Sequence, residues 1–373
     1  MNKEIPIEET AEAMPPKRKF PLFAKIFLGI GAFSALLYIA FLLSEDFADF
    51  FNRYISSVFR AVMAYATSWI PFSLGEFLLI LTPVIFAAIV IYGTKKYADT
   101  WRDVFIYCGS LVSVITLIFA AFTIGFAPAY RGATLDKKLG LDRQKVSAEE
   151  LYATALILSE KVNEESEKIT YNTKTDFSVM PYGIDGMNDR LIDAYDVACD
   201  KYTFVQRLDS KLKPVMLSEL MSYTHITGVY SFFTGEANIN VAFPDYTIPY
   251  TAAHELSHQR GIAREDEANF MAFLVCIDSE DAYIRYSGYL NLFEYVSSAL
   301  YSASPELYYA AVDTLNADVR REMRAYSAFF DKYRDSTASK VSETVNNTSL
   351  ILQGTEGTKS YGMVVDLAVA YYK

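Results

Sequence analysis

Histidine and cysteine are scarce in this 373-residue chain, with three of each. Three cysteines cannot build a disulfide scaffold or a cysteine-rich zinc site, so Cys199 and Cys276 are expected as unpaired, buried thiols and Cys108 falls within an apolar run. Basic charge is also short. The 34 Lys plus Arg against 45 Asp plus Glu leave a net charge of −11. Residues 1–127 hold ten basic and ten acidic residues, so the whole excess falls on the remainder, where 24 basic face 35 acidic. Such a surface repels phosphate backbones, which excludes nucleic acid as an expected partner. Internal repeats and low-complexity linkers are absent as well.

Charge is almost missing from three stretches. Residues 26–43 are uncharged and mostly apolar, 74–93 carry only Glu76, and 104–126 are uncharged over 23 residues. Each is long enough, or nearly so, to cross a hydrocarbon core of about 30 Å at 1.5 Å per residue. We expect three transmembrane helices and a lipid bilayer as a partner. No small-x-small cleavage site follows Leu43 before Ser44-Glu45-Asp46, so the first run is expected to remain as an anchor. Lys17, Arg18, Lys19 and Lys25 precede the first run, and Lys95, Lys96 and Arg102 separate the second from the third; the intervening loop has only Arg53 and Arg60. The positive-inside rule then puts the N-terminus and the Lys95 loop in the cytoplasm and everything after Phe126 outside the cytoplasmic membrane of a bacterium. Three units follow: a cytoplasmic tail (1–19), a three-span membrane domain with an interfacial helix (20–127), and an extracytoplasmic domain (128–373). Phe47, Phe50, Phe51, Tyr54, Ile55, Val58, Phe59, Val62 and Met63 recur at helical spacing in the outer loop, as expected of a helix lying on the membrane or packed on its neighbours.

The outer domain begins with a capped amphipathic pattern at Ser147, continues with another at residues 190–204, and ends in long Tyr-rich helical patterns after Cys276. Residues 238–243 alternate polar and apolar before Pro244, a strand signature. The fold class is therefore mainly α: three N-terminal transmembrane helices plus an extracytoplasmic zincin-like α+β domain with a small sheet. Asn238, Ile239, Asn240 and Val241 are expected to offer an edge for an extended peptide.

Two of the three histidines sit in Tyr250-Thr-Ala-Ala-His-Glu-Leu-Ser-His-Gln-Arg-Gly261. This is HExxH. On a helix, His254 and His258 project from one face at a spacing that lets both hold one zinc ion, while Glu255 stands beside the metal-bound water as general base. A catalytic zinc needs a third protein ligand and an open position. Gly261 can end the helix in a left-handed conformation and turn the chain back. Arg264 occupies the place of the third histidine in HExxHxxGxxH, and arginine cannot bind zinc. Glu265-Asp-Glu-Ala-Asn269 instead resembles the E-x-x-A-D or E-x-E-A-N helix of zincins with a glutamate ligand. That makes Glu265 the first candidate, with Asn269 as a supporting polar group, Glu267 next and His225 third. Asp266 fits a solvated first turn favoured by the helix dipole. Tyr230, Tyr250, His225 and Arg264 are candidates to stabilise an oxyanion.

The motif, the stretch Gly228-Val-Tyr-Ser-Phe-Phe-Thr-Gly-Glu-Ala-Asn-Ile-Asn, the three apolar runs, Leu139-Gly-Leu, Tyr286-Ser-Gly-Tyr and Lys359-Ser-Tyr-Gly362 together resemble a bacterial family, the domain-of-unknown-function family 3810. The resemblance covers nearly the whole chain. It implies a membrane-anchored zinc metallopeptidase and no particular substrate. The family pattern has glycine where this chain has His225, which weighs against a catalytic role there. The expected activity is zinc-dependent hydrolysis of an amide bond in a peptide, a protein or a cell-wall peptide. The alternative is a non-catalytic envelope receptor or assembly factor with a structural zinc, which would not need Glu255 as a base.

Overall fold

The computed structural model describes residues 18–334 and 336–373. Residues 1–17 of the expected cytoplasmic tail lie outside the described residues, and with them Lys17. The chain is 70% helical, and its sheets are small.

The N-terminal part runs α1 (Leu22–Leu43), α2 (Glu45–Phe51), a π-helical turn (Asn52–Ser56), α3 (Ser57–Ser68), α4 (Leu74–Tyr97) and α5 (Trp101–Gly125). Of these, α1, α4 and α5 are long and apolar enough to cross a membrane. α1 lies along α5 because Gly31 lets the backbones approach: a Cβ there would come within 2.6 Å of Thr116 Cβ. Small residues at a contact serve this purpose between apolar helices. No residue in the most apolar stretch of α4 is buried. The helices α2 and α3 expose Phe50, Tyr54, Val58, Val62 and Trp69 on their outer side.

The remainder comprises α6 (Leu135–Leu139), α7 (Ala148–Ser166), β1 (Thr170–Tyr171), β2 (Ser178–Val179), α8 (Ile184–Lys201), β3 (Lys213–Pro214), α9 (Ser218–Ser222), β4 (Gly228–Ser231), β5 (Glu236–Ile239), α10 (Thr247–Gln259), α11 (Glu265–Asp278), α12 (Ala282–Ala303), α13 (Pro305–Val312), α14 (Ala317–Asp331), α15 (Thr337–Leu352) and α16 (Val364–Tyr372). The Ser147 hydroxyl accepts from the Glu150 N–H while the Glu150 carboxylate accepts from the Ser147 N–H, which fixes the start of α7. One core joins α7, α8, α10, α11, α12 and α16 through residues such as Leu158, Leu191, Leu256, Phe273, Phe293 and Leu367. Cys276 is buried in it, Cys199 is only partly buried, Cys108 is exposed, and none of the three is paired.

The sheet corrects the sequence reading. Its order is β3-β5-β4, so β5 is central, parallel to β3 and antiparallel to β4. Asn238 and Ile239 are therefore paired on both sides, and Asn240 and Val241 lie past the strand end, bonded to Thr227 O and Ser218 Oγ. None of the four forms a free edge. The polar side chains here are buried rather than solvated: Asn240 Nδ2 donates to Ser222 Oγ and Ile226 O, and Glu236, just before the alternation, accepts from Lys213 and from the N–H groups of Leu74 and Gly75. Among the described residues, β4 is the strand with an unpaired edge on this side.

Candidate metal centre

α10 and α11 form an antiparallel hairpin about Gly261, whose φ of +92° is a left-handed conformation glycine adopts freely. A Cβ there would also meet the Arg60 guanidinium at 2.3 Å. The turn places Glu265, the first residue of α11, opposite the histidine face of α10. One donor atom from each of His254, His258 and Glu265 lies within 4.8 Å of the others, and all three side chains are buried. Glu265 Oε2 is 3.2 Å from His254 Nε2 and 3.5 Å from His258 Nε2. Ligands about 2.1 Å from a tetrahedral zinc stand roughly 3.4 Å apart, so these separations suit a shared ion.

Two further details fit a cation. Glu265 Oε2 is buried without an aligned hydrogen bond, although two imidazole nitrogens are near it. His258 Nδ1 is 2.8 Å from Ile262 O, which fixes that nitrogen as the donor and leaves Nε2 for a metal. Without the ion, burial lowers the His258 pKa, but Glu265 and Glu255 outweigh it and hold the ring protonated to about 9. Burial raises the Glu265 pKa, yet the two histidines overcome it and keep the carboxyl well below its ordinary range. The donor set therefore matches a dication that would displace a proton from His258.

Glu255 belongs to the same helix but faces β4. Burial raises its pKa, partly offset by both histidines, and the Tyr230 backbone N–H bonds to it. The contact requires glycine at 228: a Cβ there would lie 2.5 Å from Glu255 Oε1. A carboxylate held between the two candidate ligand histidines and a strand edge, with a raised pKa, suits a general base.

The other candidates go elsewhere. Glu267 accepts from the Leu135 N–H (3.0 Å) and Arg264 Nη1 (2.9 Å), and Arg264 Nη2 donates to Tyr130 O and Gly132 O. Both residues bind the chain leaving α5 to the hairpin, so neither reaches the metal position or an oxyanion. His225 stands apart from the donor group: its Nε2 is 2.7 Å from Tyr333 O and its ring lies against Phe330. Asp266 is not a solvated first-turn acid but a buried partner of Arg143 at 2.7 Å. Asn269 lines the cleft with Nδ2 3.4 Å from the Tyr295 hydroxyl, and Tyr250 donates to the Asn269 carbonyl.

The centre opens into a cleft of about 1180 Å³. Its walls include β4, one face of α12, α15, and Phe126 and Tyr130 from the end of α5 and the 3-10 turn (Ala127–Tyr130) behind it. Sequence reasoning missed Phe126, Tyr130, Asn52 and Arg60. Phe126 packs on His258. Asn52 Nδ2 donates to Gly261 O, and Arg60 donates to Asn52 Oδ1 and Gly125 O.

A family model described as Protein of unknown function (DUF3810) matches residues 49–369. The chain belongs to that family. The match takes in the hairpin, β4, α12 and α15, and with them every wall of the cleft. No match was found among curated proteins or solved structures.

Proposed function

We propose that this chain is a membrane-anchored zinc metallopeptidase, with a zincin-like domain outside the cytoplasmic membrane that hydrolyses an amide bond of a peptide, a protein or a cell-wall peptide. The observation that carries the reading is the convergence of His254, His258 and Glu265 beside Glu255 at the floor of a large open cleft. A purely structural zinc has no use for a general base or for such access.

Zinc bound by the three side chains would supply Lewis acidity, bringing water at its open position to a pKa of about 7. Glu255 is the residue that would take a proton from the attacking water and hand it to the leaving amine. The Tyr230 phenol, pushed up to about 12 by burial, stays protonated at neutral pH and lines the cleft as a donor for the developing oxyanion. The free edge of β4 would receive an extended peptide by main-chain pairing.

The exposed apolar surface of α1, α4 and α5 supports anchoring in a bilayer. Their ends divide by charge. Leu43, Leu74 and Gly125 lie toward the cleft domain: Lys137 pairs with Glu45, Glu236 accepts from the Leu74 N–H, and Phe126, next after Gly125, packs on His258. The opposite ends gather Lys25, Lys95, Lys96 and Arg102, with Arg18 beside Asp103 and over the Tyr97 ring. That asymmetry supports cytoplasmic basic ends and an extracytoplasmic cleft.

The test is cleavage of an unbiased peptide library by purified protein, before and after chelation and zinc return. Cleavage that follows zinc supports the proposal. Loss of folding on chelation, with no cleavage at any stage, would favour the receptor or assembly reading. That reading draws on the packing of the centre against Phe126, Asn52 and Arg60.

A further inference from the structure

α12 turns a polar stripe toward the cleft. Asn291, Glu294, Tyr295 and Ser298 follow the spacing i, i+3, i+4, i+7 of one helix face, and all four line it. Glu294 is unusual among them. Its carboxylate has a hydrogen bond from the Tyr246 hydroxyl (3.0 Å) and no Lys, Arg or His partner among the described residues. Glu294 is half-buried, and most of the fully buried acids of this domain do have one: Glu165 has Arg285, Glu236 has Lys213, and Asp266 has Arg143. Among the described residues the cleft lining contains no Lys or Arg, while Glu255, Glu265, Glu294 and Glu343 all belong to it.

The surroundings of Glu294 are aromatic. Tyr246, Tyr295 and Tyr326 lie close enough for its charge to raise all three phenols, and the Tyr246 and Tyr326 rings stand 5.8 Å apart. Burial raises the pKa of Glu294 itself to about 8, with Glu322 adding to it. An acid with so few donors is expensive to ionise unless a cation arrives with the ligand. Aromatic faces beside a carboxylate are the surroundings that receive an ammonium group.

We propose that Glu294, on the face of α12 that lines the same cleft as His254, His258 and Glu265, determines specificity by receiving a primary ammonium group of the substrate beside Tyr295 and Tyr326, while the buried Tyr246 hydroxyl holds its carboxylate. This rests on the metallopeptidase reading and narrows it to peptides that present a free amine, either at the N-terminus or on a basic side chain. Glu294 takes no part in the proton transfer assigned to Glu255.

Hydroxamates test it, because they chelate zinc and so anchor each probe at the metal. Calorimetry on the zinc-loaded full chain would compare norleucine hydroxamate, which keeps its α-ammonium, Nα-acetyl-lysine hydroxamate, which keeps its ε-ammonium, and Nα-acetyl-norleucine hydroxamate, which has neither. At least one amine-bearing probe should bind ten-fold or more tightly than the neutral one. Glu294→Gln, checked for a cooperative melting transition and an unchanged circular dichroism spectrum, should erase that preference while leaving the neutral probe's affinity as it was. Equal binding of all three by the wild type, which needs no variant, would overturn the proposal and leave the metal centre standing, as would a preference that survives Glu294→Gln. Failure of every hydroxamate to bind would overturn the metal-centre reading and this inference with it.

Discussion

The Phe126 ring stands edge-on against the His258 imidazole, with 5.9 Å between centroids and 80° between planes. Phe126 is the residue that follows α5, so the end of the third apolar helix forms part of the wall behind a candidate ligand. The hairpin that holds the donors is not a free-standing unit. Its turn is tied to the N-terminal part by Asn52 and Arg60, and its second helix to the chain after α5 by Glu267 and Arg264.

This coupling gives the first prediction. Asn52→Ala removes the donor to Gly261 O and the acceptor of Arg60, leaving buried polar groups unpaired, a change that costs about 1–3 kcal/mol. Thermal melting in detergent should show the loss, together with weaker zinc retention during dialysis. A variant as stable and as zinc-retentive as the parent would mean that the turn holds its geometry without the N-terminal helices.

The ligand set separates two adjacent acids. Glu265→Ala, His254→Ala and His258→Ala should each lose most of the zinc. Glu267→Gln should keep it, with a lower melting temperature from the weakened Leu135 and Arg264 contacts. Elemental analysis of the four purified variants decides. Zinc retained by Glu265→Ala but lost from Glu267→Gln would reverse the assignment.

The sequence made α10 and its histidine face legible because HExxH carries both its chemistry and its helical period. The three apolar helices were equally plain: the apolar runs at 26–43, 74–93 and 104–126 fall inside Leu22–Leu43, Leu74–Tyr97 and, to within one residue, Trp101–Gly125. The sheet was less legible. The alternation at 238–243 marked a strand, but its centre-of-sheet position depends on pairing with Lys213 and Pro214, far back in the chain. For the same reason Asn52, Arg60 and Phe126 could not be assigned to the site. Asn52 meets Gly261 and Phe126 meets His258 across more than a hundred residues, Arg60 is fixed by Asn52 and by Gly125 at the end of α5, and nothing local signals it.

Glu294 should give stability a recognisable pH dependence. Its folded pKa of about 8 lies above the ordinary 4.5, so between those values the native state binds more protons than the unfolded one. The contribution of Glu294 is therefore fully present below about 4.5 and falls as pH rises through 8. Glutamine does not titrate, so the melting temperature of Glu294→Gln relative to the wild type should rise from pH 5 to pH 8. A constant difference across that range would show that Glu294 ionises normally.

Orientation is open to direct measurement. Single cysteines placed in the Lys95 loop should resist a membrane-impermeant thiol reagent in intact cells, while cysteines on the outer face of α14 should react. Labelling of the loop and not of α14 would reverse the topology and put the cleft in the cytoplasm.

Glu255 tests the account most directly, since the chemistry needs it and metal binding does not. The measurement is the cleavage rate of Glu255→Gln on a substrate taken from the peptide library, at zinc content equal to that of the wild type. The account predicts near-normal zinc, an unchanged fold and a rate lower by about 10²-fold or more, the usual loss for a removed general base. A Glu255→Gln protein that cleaves as fast as the parent would contradict it.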